Sequence, residues 1–245
     1  MGFADPARAE PLLLADLGMT AAELRTDPLV SAIAAAADPD LALAGLARLF
    51  GAATGKDGLR AALRAEQDFR DRLTAVLGVS AGLADHLARH PEDAEILRGA
   101  ITRPEAAELR AGLLRAVGAD PADPDSAGPD SGGPDSADPD SADPDSADPD
   151  SADPDGLVAA GREPTAALAA AYRRRLLHLT ARDLTGAATV DEVGEELAGI
   201  AAAVLEAALA VARAELPPGA TPCRLAVVAM GKCGGRELNL SLIHI

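Results

Sequence analysis

Apolar positions recur every three or four residues along most of this chain, and the recurrence breaks in only two places. Up to Gly118 it predicts a succession of short helices. Leu59, Leu63, Phe69, Leu73, Val76 and Leu77 form an apolar stripe opposite Arg60, Arg64, Asp68 and Arg72. The starts are marked by capping chemistry. Asp5-Pro6, Asp27-Pro28 and Asp38-Pro39 each place a side-chain acceptor before a proline whose missing N–H costs nothing in a first turn. Thr20 with Glu23, and Thr102 with Glu105, have capping-box spacing, and Pro104 sits just inside the second start. Residues 1–118 are therefore predicted to be a helical bundle.

Helical spacing resumes after Gly161 and is predicted to fill residues 157–218. Leu168, Tyr172, Leu176, Leu179 and Leu184 mark one face of a helix that also carries Arg173, Arg174 and Arg175. Three consecutive arginines point around a helix rather than converging, so they read as a solvated face, with phosphate binding the alternative. Thr189 with Glu192 starts a longer helix whose apolar face is predicted at Leu197, Ile200, Ala201, Val204, Leu205, Ala208 and Val211. Pro217-Pro218 ends it.

The first break is residues 119–156, where the unit Ser-Ala-Asp-Pro-Asp repeats from Ser136. Proline every fifth residue forbids a helix, and nothing larger than alanine or proline is there to bury, so a disordered acidic linker is predicted. Calcium binding by its aspartates is disfavoured, because neither a glycine-rich nonapeptide nor a twelve-residue EF-hand loop is present. This stretch also explains the charge. The whole chain carries 39 acidic and 22 basic residues, a net charge of -17; the linker holds 13 of the acids and no base, which leaves -4 elsewhere. The acidity disfavours nucleic acid and anionic membrane as partners but does not exclude a nucleotide site in the balanced remainder.

Composition narrows the classes further. Aromatic residues make up 2% of the chain, tryptophan is absent and about a quarter of the residues are alanine, which suits closely packed helices and excludes an all-β fold. Cys223 and Cys233 have neither metal nor redox spacing, so a reducing cytoplasm is expected. The first residues lack the basic start and apolar run of a signal peptide. Leu197 to Leu205 is the best apolar run, and it stops at Glu206, so no membrane span is expected.

The second break is Arg224-Leu-Ala-Val-Val-Ala-Met230 followed by Gly231-Lys-Cys-Gly-Gly-Arg-Glu-Leu-Asn239. A valine-rich run bounded by prolines and glycines predicts a buried strand entering a glycine-rich turn. Gly231, Gly234 and Gly235 would admit a phosphate close to the backbone, and Lys232 and Arg236 would supply charge. The alternative is a plain strand-to-helix turn. The pattern is neither a Walker A loop nor a GxGxxG fingerprint. His86 and His90 have the i,i+4 spacing of a zinc pair but no evident third ligand, and read as part of a surface helix before Pro91. Cys233 has no base placed for nucleophilic use and reads as a packing residue.

The segment Leu225 to Asn239 closely resembles the opening of a nucleotidyltransferase domain in the bifunctional glutamine synthetase adenylyltransferase/adenylyl-removing enzymes. Gly-Phe-Ala-Asp-Pro-Ala-Arg-Ala near the start, Leu-Ala-Asp-His-Leu-Ala-Arg-His-Pro-Glu around His86 and Tyr172-Arg-Arg-Arg-Leu-Leu are similar to the amino-terminal helical region of actinobacterial members. The resemblance implies a mainly α fragment: a helical bundle interrupted by the disordered repeat, then residues 219–239 as the first strand and turn of a truncated polymerase-β-like nucleotidyltransferase α/β domain. The order along the chain implies the adenylyl-removing half. The resemblance further implies transfer of AMP from ATP to a tyrosine of glutamine synthetase, its phosphorolytic removal to give ADP, dependence on Mg2+, and control by a PII-type signalling protein.

It also implies a glycine pair at Gly234-Gly235 and two metal-holding aspartates a few residues later. Those two positions are occupied here by Ile243 and Ile245. Residues 240–245, Leu-Ser-Leu-Ile-His-Ile, resemble the translation of a sequencing adapter, so an artefactual tail is expected, His244 has no role, and the fragment is expected to be inactive. A strand over Leu225 to Met230 would then lack sheet partners and leave an exposed apolar edge.

Overall fold

The computed structural model describes residues 3–4, 6–122, 163–217, 220, 223 and 225–239. The expected cap at Asp5, the repeat from residue 123 onward and the tail 240–245 lie outside the described residues. Among the described residues the regular structure is entirely helical.

The chain begins with α1 (Pro6–Pro11), which runs into a π-helical turn at Leu12–Asp16. Next come α2 (Pro28–Ala35), α3 (Pro39–Ala52), α4 (Lys56–Ala65), α5 (Gln67–Leu77), α6 (Ala81–Arg89), a 3-10 segment (Pro91–Leu97) and α7 (Ala106–Ala116). After the repeat, α8 (Pro164–Leu184), α9 (Val190–Ala214) and the four-residue α10 (Gly231–Gly234) follow.

The acid-proline starts form as their chemistry dictates. Asp27 accepts from the amide of Leu29 at 2.9 Å, and Asp38 from that of Leu41 at 2.9 Å, each with proline as the first helical residue. Thr20 and Glu23 make the reciprocal bonds of a capping box, Glu23 accepting from the Thr20 amide at 2.7 Å and Thr20 from the Glu23 amide at 3.3 Å. What they open is only a 3-10 turn at Glu23–Arg25. The start expected at Thr102 and Pro104 is corrected: α7 begins at Ala106.

Two compact units are present. The first comprises residues 1–106, 172–200 and 228–245. Its core is built on α3, whose Ala42, Leu43, Leu46, Leu49 and Phe50 are all essentially buried against α5 and α6. Leu177 and Ala181 of α8 belong to the same core. Arginines tie its rim: Arg64 donates to Asp27 at 2.7 Å and to Glu23 at 2.9 Å, and Arg98 bridges Glu66 and Glu95. The second unit comprises residues 107–171 and 201–227. There Leu109, Leu113, Leu114, Leu168, Ala203, Ala207 and Ala210 are buried, and Arg110 donates to Glu206 at 2.7 Å and to the Pro121 carbonyl at 2.9 Å.

The buried faces of the two long helices differ in part from the sequence expectation. On α9 Leu197 and Ile200 are buried as expected, together with Val193, Glu196 and Ala198; farther along, Ala203, Ala207 and Ala210 are buried, whereas Leu205 is 51% exposed. On α8 Leu168 and Leu179 are buried as expected, Leu177 is buried as well, and Leu184 is exposed. Alanines let helix backbones approach closely, so in the second half of α9 the small residues face inward and Leu205 is displaced outward. The α9 helix is also long and apolar enough, by length and composition alone, to cross a membrane, which a run ended at Glu206 did not anticipate. A core helix can meet the same criterion.

Candidate functional site

Residues 225–230 pair with no strand; Leu225, Val227, Val228 and Met230 are 57–81% exposed. A buried strand is thus absent among the described residues.

From Met230 the backbone turns. The amides of Gly234, Gly235, Arg236 and Glu237 donate to the carbonyls of Met230, Gly231, Cys233 and Lys232 at 3.3, 2.9, 3.2 and 2.7 Å. This coiling brings Gly231, Lys232, Gly234, Gly235 and Arg236 into one turn, with the two cationic side chains exposed and Cys233 half-buried. Arg236 has φ +57°, the left-handed region a non-glycine residue enters at a cost. Gly234 is required by closeness instead: a Cβ there would run into the carbonyl of Ala229. In this conformation the Gly234 and Gly235 amides are engaged by the backbone, and the charge of Lys232 and Arg236 is what faces solvent.

The turn exits over the start of α9. A Cβ built on Gly194 would lie 2.9 Å from the Arg236 carbonyl oxygen, 3.1 Å from that of Leu238 and 3.3 Å from the Glu237 Cα. The first turn of α9 is fixed by Thr189, whose amide donates to Glu192 at 2.7 Å while Thr189 Oγ1 accepts from the Glu192 amide at 3.3 Å. The next residues are held by arginines: Glu195 by Arg103 at 2.8 Å, and Glu196 by Arg182 of α8 at 2.5 Å. The Arg182–Glu196 pair is almost wholly excluded from solvent, at 2% and 3% exposure. None of these acids was singled out by periodicity, because the pairs join residues 14 and 92 positions apart.

One turn before Arg182, His178 is half-buried and its pKa is lowered to about 4, first by burial and then by the charges of Arg182, Arg175 and Arg72. A histidine whose folded pKa lies below its unfolded value binds more protons when unfolded. Stability is therefore full above about pH 6.5 and is lost as pH falls toward 4. Replacing His178 with Gln is expected to flatten the slope of stability against pH between 6.5 and 4.5, measured by denaturant midpoints. Below that window Glu23, Glu66 and Glu192, whose pKa values are lowered, add their own acid sensitivity.

The reading of His86 as part of a surface helix is corrected. His86 is 1% exposed, and its Nε2 lies 2.8 Å from Oδ2 of Asp93, itself 4% exposed. Asp93 Oδ1 is 3.1 Å from Arg174 Nε, so one of the three consecutive arginines is an ion-pair partner rather than a purely solvated side chain. The His90 ring lies 4.9 Å from that of His86, tilted by 39°. Among the described residues no three His, Cys, Asp or Glu side chains converge.

The resemblance also implies magnesium near the turn. Mg2+ takes hard oxygen ligands in octahedral geometry. Glu237, Asn239 and Ser241 are the oxygen-bearing side chains that follow the glycine pair, while Ile243 and Ile245, outside the described residues, carry hydrocarbon only. Among the described residues of the turn Glu237 is the one carboxylate, which does not make the set of oxygens the ion takes.

Comparison with known proteins is specific. Residues 155–242 match the family model of glutamate-ammonia ligase adenylyltransferase. The chain is 43% identical over 242 residues to the bifunctional glutamine synthetase adenylyltransferase/adenylyl-removing enzyme of Streptomyces coelicolor, covering 97% of this chain and 20% of that protein. It is 37% identical over 249 residues to the enzyme of the same name from Mycobacterium avium, and 35% identical over 249 residues to that of Mycobacterium tuberculosis; each match covers 98% of this chain and 21% of the relative. The chain thus spans about a fifth of the length of the curated relatives it matches. No solved structure matches.

Proposed function

We propose, for a chain whose kinship with the bifunctional glutamine synthetase adenylyltransferase/adenylyl-removing enzymes extends over 97% of its length, that it is a segment of a protein with those two activities. That protein moves AMP between ATP and a tyrosine of glutamine synthetase, removes it by phosphorolysis, responds to a PII-type signalling protein and works in the cytoplasm with Mg2+. Residues 1–118 and 157–218 are its helical portion, and residues 219–239 open the adenylyl-removing half. Within that opening Gly231, Lys232, Gly234, Gly235 and Arg236 form the phosphate-facing turn, which supplies cationic charge to a polyphosphate or leaving anion.

The observation that carries this reading is the turn itself, a glycine-rich coil with two exposed cations inside the stretch matching the family. The chain as it stands holds nucleotide poorly, because Ile243 and Ile245 offer no oxygen to a divalent ion. Titration with MgATP is expected to give a Kd weaker than about 1 mM; micromolar binding would count against the missing-carboxylate account.

A second reading is a helical interaction module that binds glutamine synthetase or the rest of its own enzyme. The helical character of the described residues favours it. Immobilised chain should then retain purified glutamine synthetase, and no retention at micromolar concentrations would remove this reading.

A further inference from the structure

Gly194 lies 37 residues before the glycine-rich turn in sequence, yet its bare Cα is where the exit of that turn rests. Three atoms of residues 236–238, two of them carbonyl oxygens, stand within 3.3 Å of where a Cβ would be. At 2.9 Å the Arg236 carbonyl oxygen is closer than real Cβ atoms come, and the other two contacts are tighter than most, so a side chain would push the segment away from α9. The support under this seat is built on both sides. Glu195 and Glu196, the next two residues, are held by Arg103 and by the buried Arg182. Displacing the seat would therefore mean breaking a buried ion pair, whereas displacing the exposed turn breaks none among the described residues.

We propose that Gly194 is a positioning residue: the helical region sets the place of the phosphate-facing turn through the contact of Gly194 with the backbone of residues 236–238. The proposal rests on the turn's assignment under Proposed function for its importance, but not for its test. Gly194 touches neither nucleotide nor metal; it acts through the backbone of Arg236 and its neighbours.

Cys233 inside the turn and exposed Cys223 outside it provide a paired probe. In the full chain, alkylation of Cys233 by iodoacetamide, followed by peptide mass spectrometry, is expected to speed up roughly fivefold in Gly194→Val as the turn is released, with Cys223 unchanged. Gly199 is the control, since a side chain there meets nothing within 4 Å. Gly199→Val carries a similar helix-propensity cost and should leave Cys233 at the unsubstituted rate. If Gly194→Val does not fold, Gly194→Ala supplies the same clash from its Cβ alone. An unchanged Cys233 rate in a folded Gly194 variant, or an equal rise in Gly199→Val, would overturn the proposal. Neither nucleotide nor metal enters the measurement, so its failure is separate from any failure of the turn to bind phosphate.

Discussion

Glu196→Ala is expected to cost the first unit about 3–5 kcal/mol. The cause is the residue left behind. Arg182 is 2% exposed, its Nε has no hydrogen-bond partner among the described residues, and Glu196 receives its Nη1. Without that carboxylate a guanidinium that cannot lose its proton stays buried and uncompensated. Replacing both partners with apolar residues, Arg182→Met with Glu196→Leu, is expected to recover most of the loss, because the desolvation of both charges is removed as well. Denaturant unfolding followed by helical circular dichroism separates the two. A single variant costing under about 1 kcal/mol would show that the pair is hydrated.

Asp93→Ala is expected to cost about 2–4 kcal/mol, because one carboxylate serves two elements. Its two oxygens reach His86 of α6 at 2.8 Å and Arg174 of α8 at 3.1 Å. Truncation leaves a 1% exposed imidazole with no acceptor or donor for Nε2 and frees Arg174. Asp93→Asn keeps the shape and a hydrogen bond to His86 while losing the charge, so about half the cost is expected. A double-mutant cycle of His86→Ala with Asp93→Ala should show strong non-additivity; additive losses would mean that the two residues act independently.

What could be read from the sequence follows from how local the determinant is. Asp27, Asp38, and the Thr20–Glu23 and Thr189–Glu192 boxes were legible because a cap involves residues two or three apart. The Thr102 box has the same spacing but opens no helix at its proline, since spacing alone cannot say where packing begins. The buried stripe of α9 was legible at Leu197 and Ile200 but misplaced farther along, because hydrophobic patterning gives weight to leucine and valine. Here Ala203, Ala207 and Ala210 face the interior and Leu205 is turned out. His86 was read as a surface residue because its partner Asp93 lies past a helix end, on the 3-10 segment after Pro91. An acid soon after a helix-ending proline was the available signal.

The glycine-rich turn was legible as a run of neighbouring residues, but its seat was not. Nothing in periodicity links Gly194 to Arg236. The contact is between backbones, where the only trace in the sequence is the absence of a side chain. The departure at Ile243 and Ile245 was visible only against the family's pattern.

The central proposal is that this chain is a segment of an adenylyltransferase/adenylyl-removing enzyme, with a glycine-rich turn proposed to face phosphate and isoleucines where carboxylates would hold magnesium. A paired assay tests it directly: the 245-residue chain is incubated with glutamine synthetase, ATP and Mg2+, and separately with adenylylated glutamine synthetase, phosphate and Mg2+. The expected result is no AMP incorporation and no ADP release above the protein-free control, whereas magnesium-dependent turnover in either direction would contradict the account.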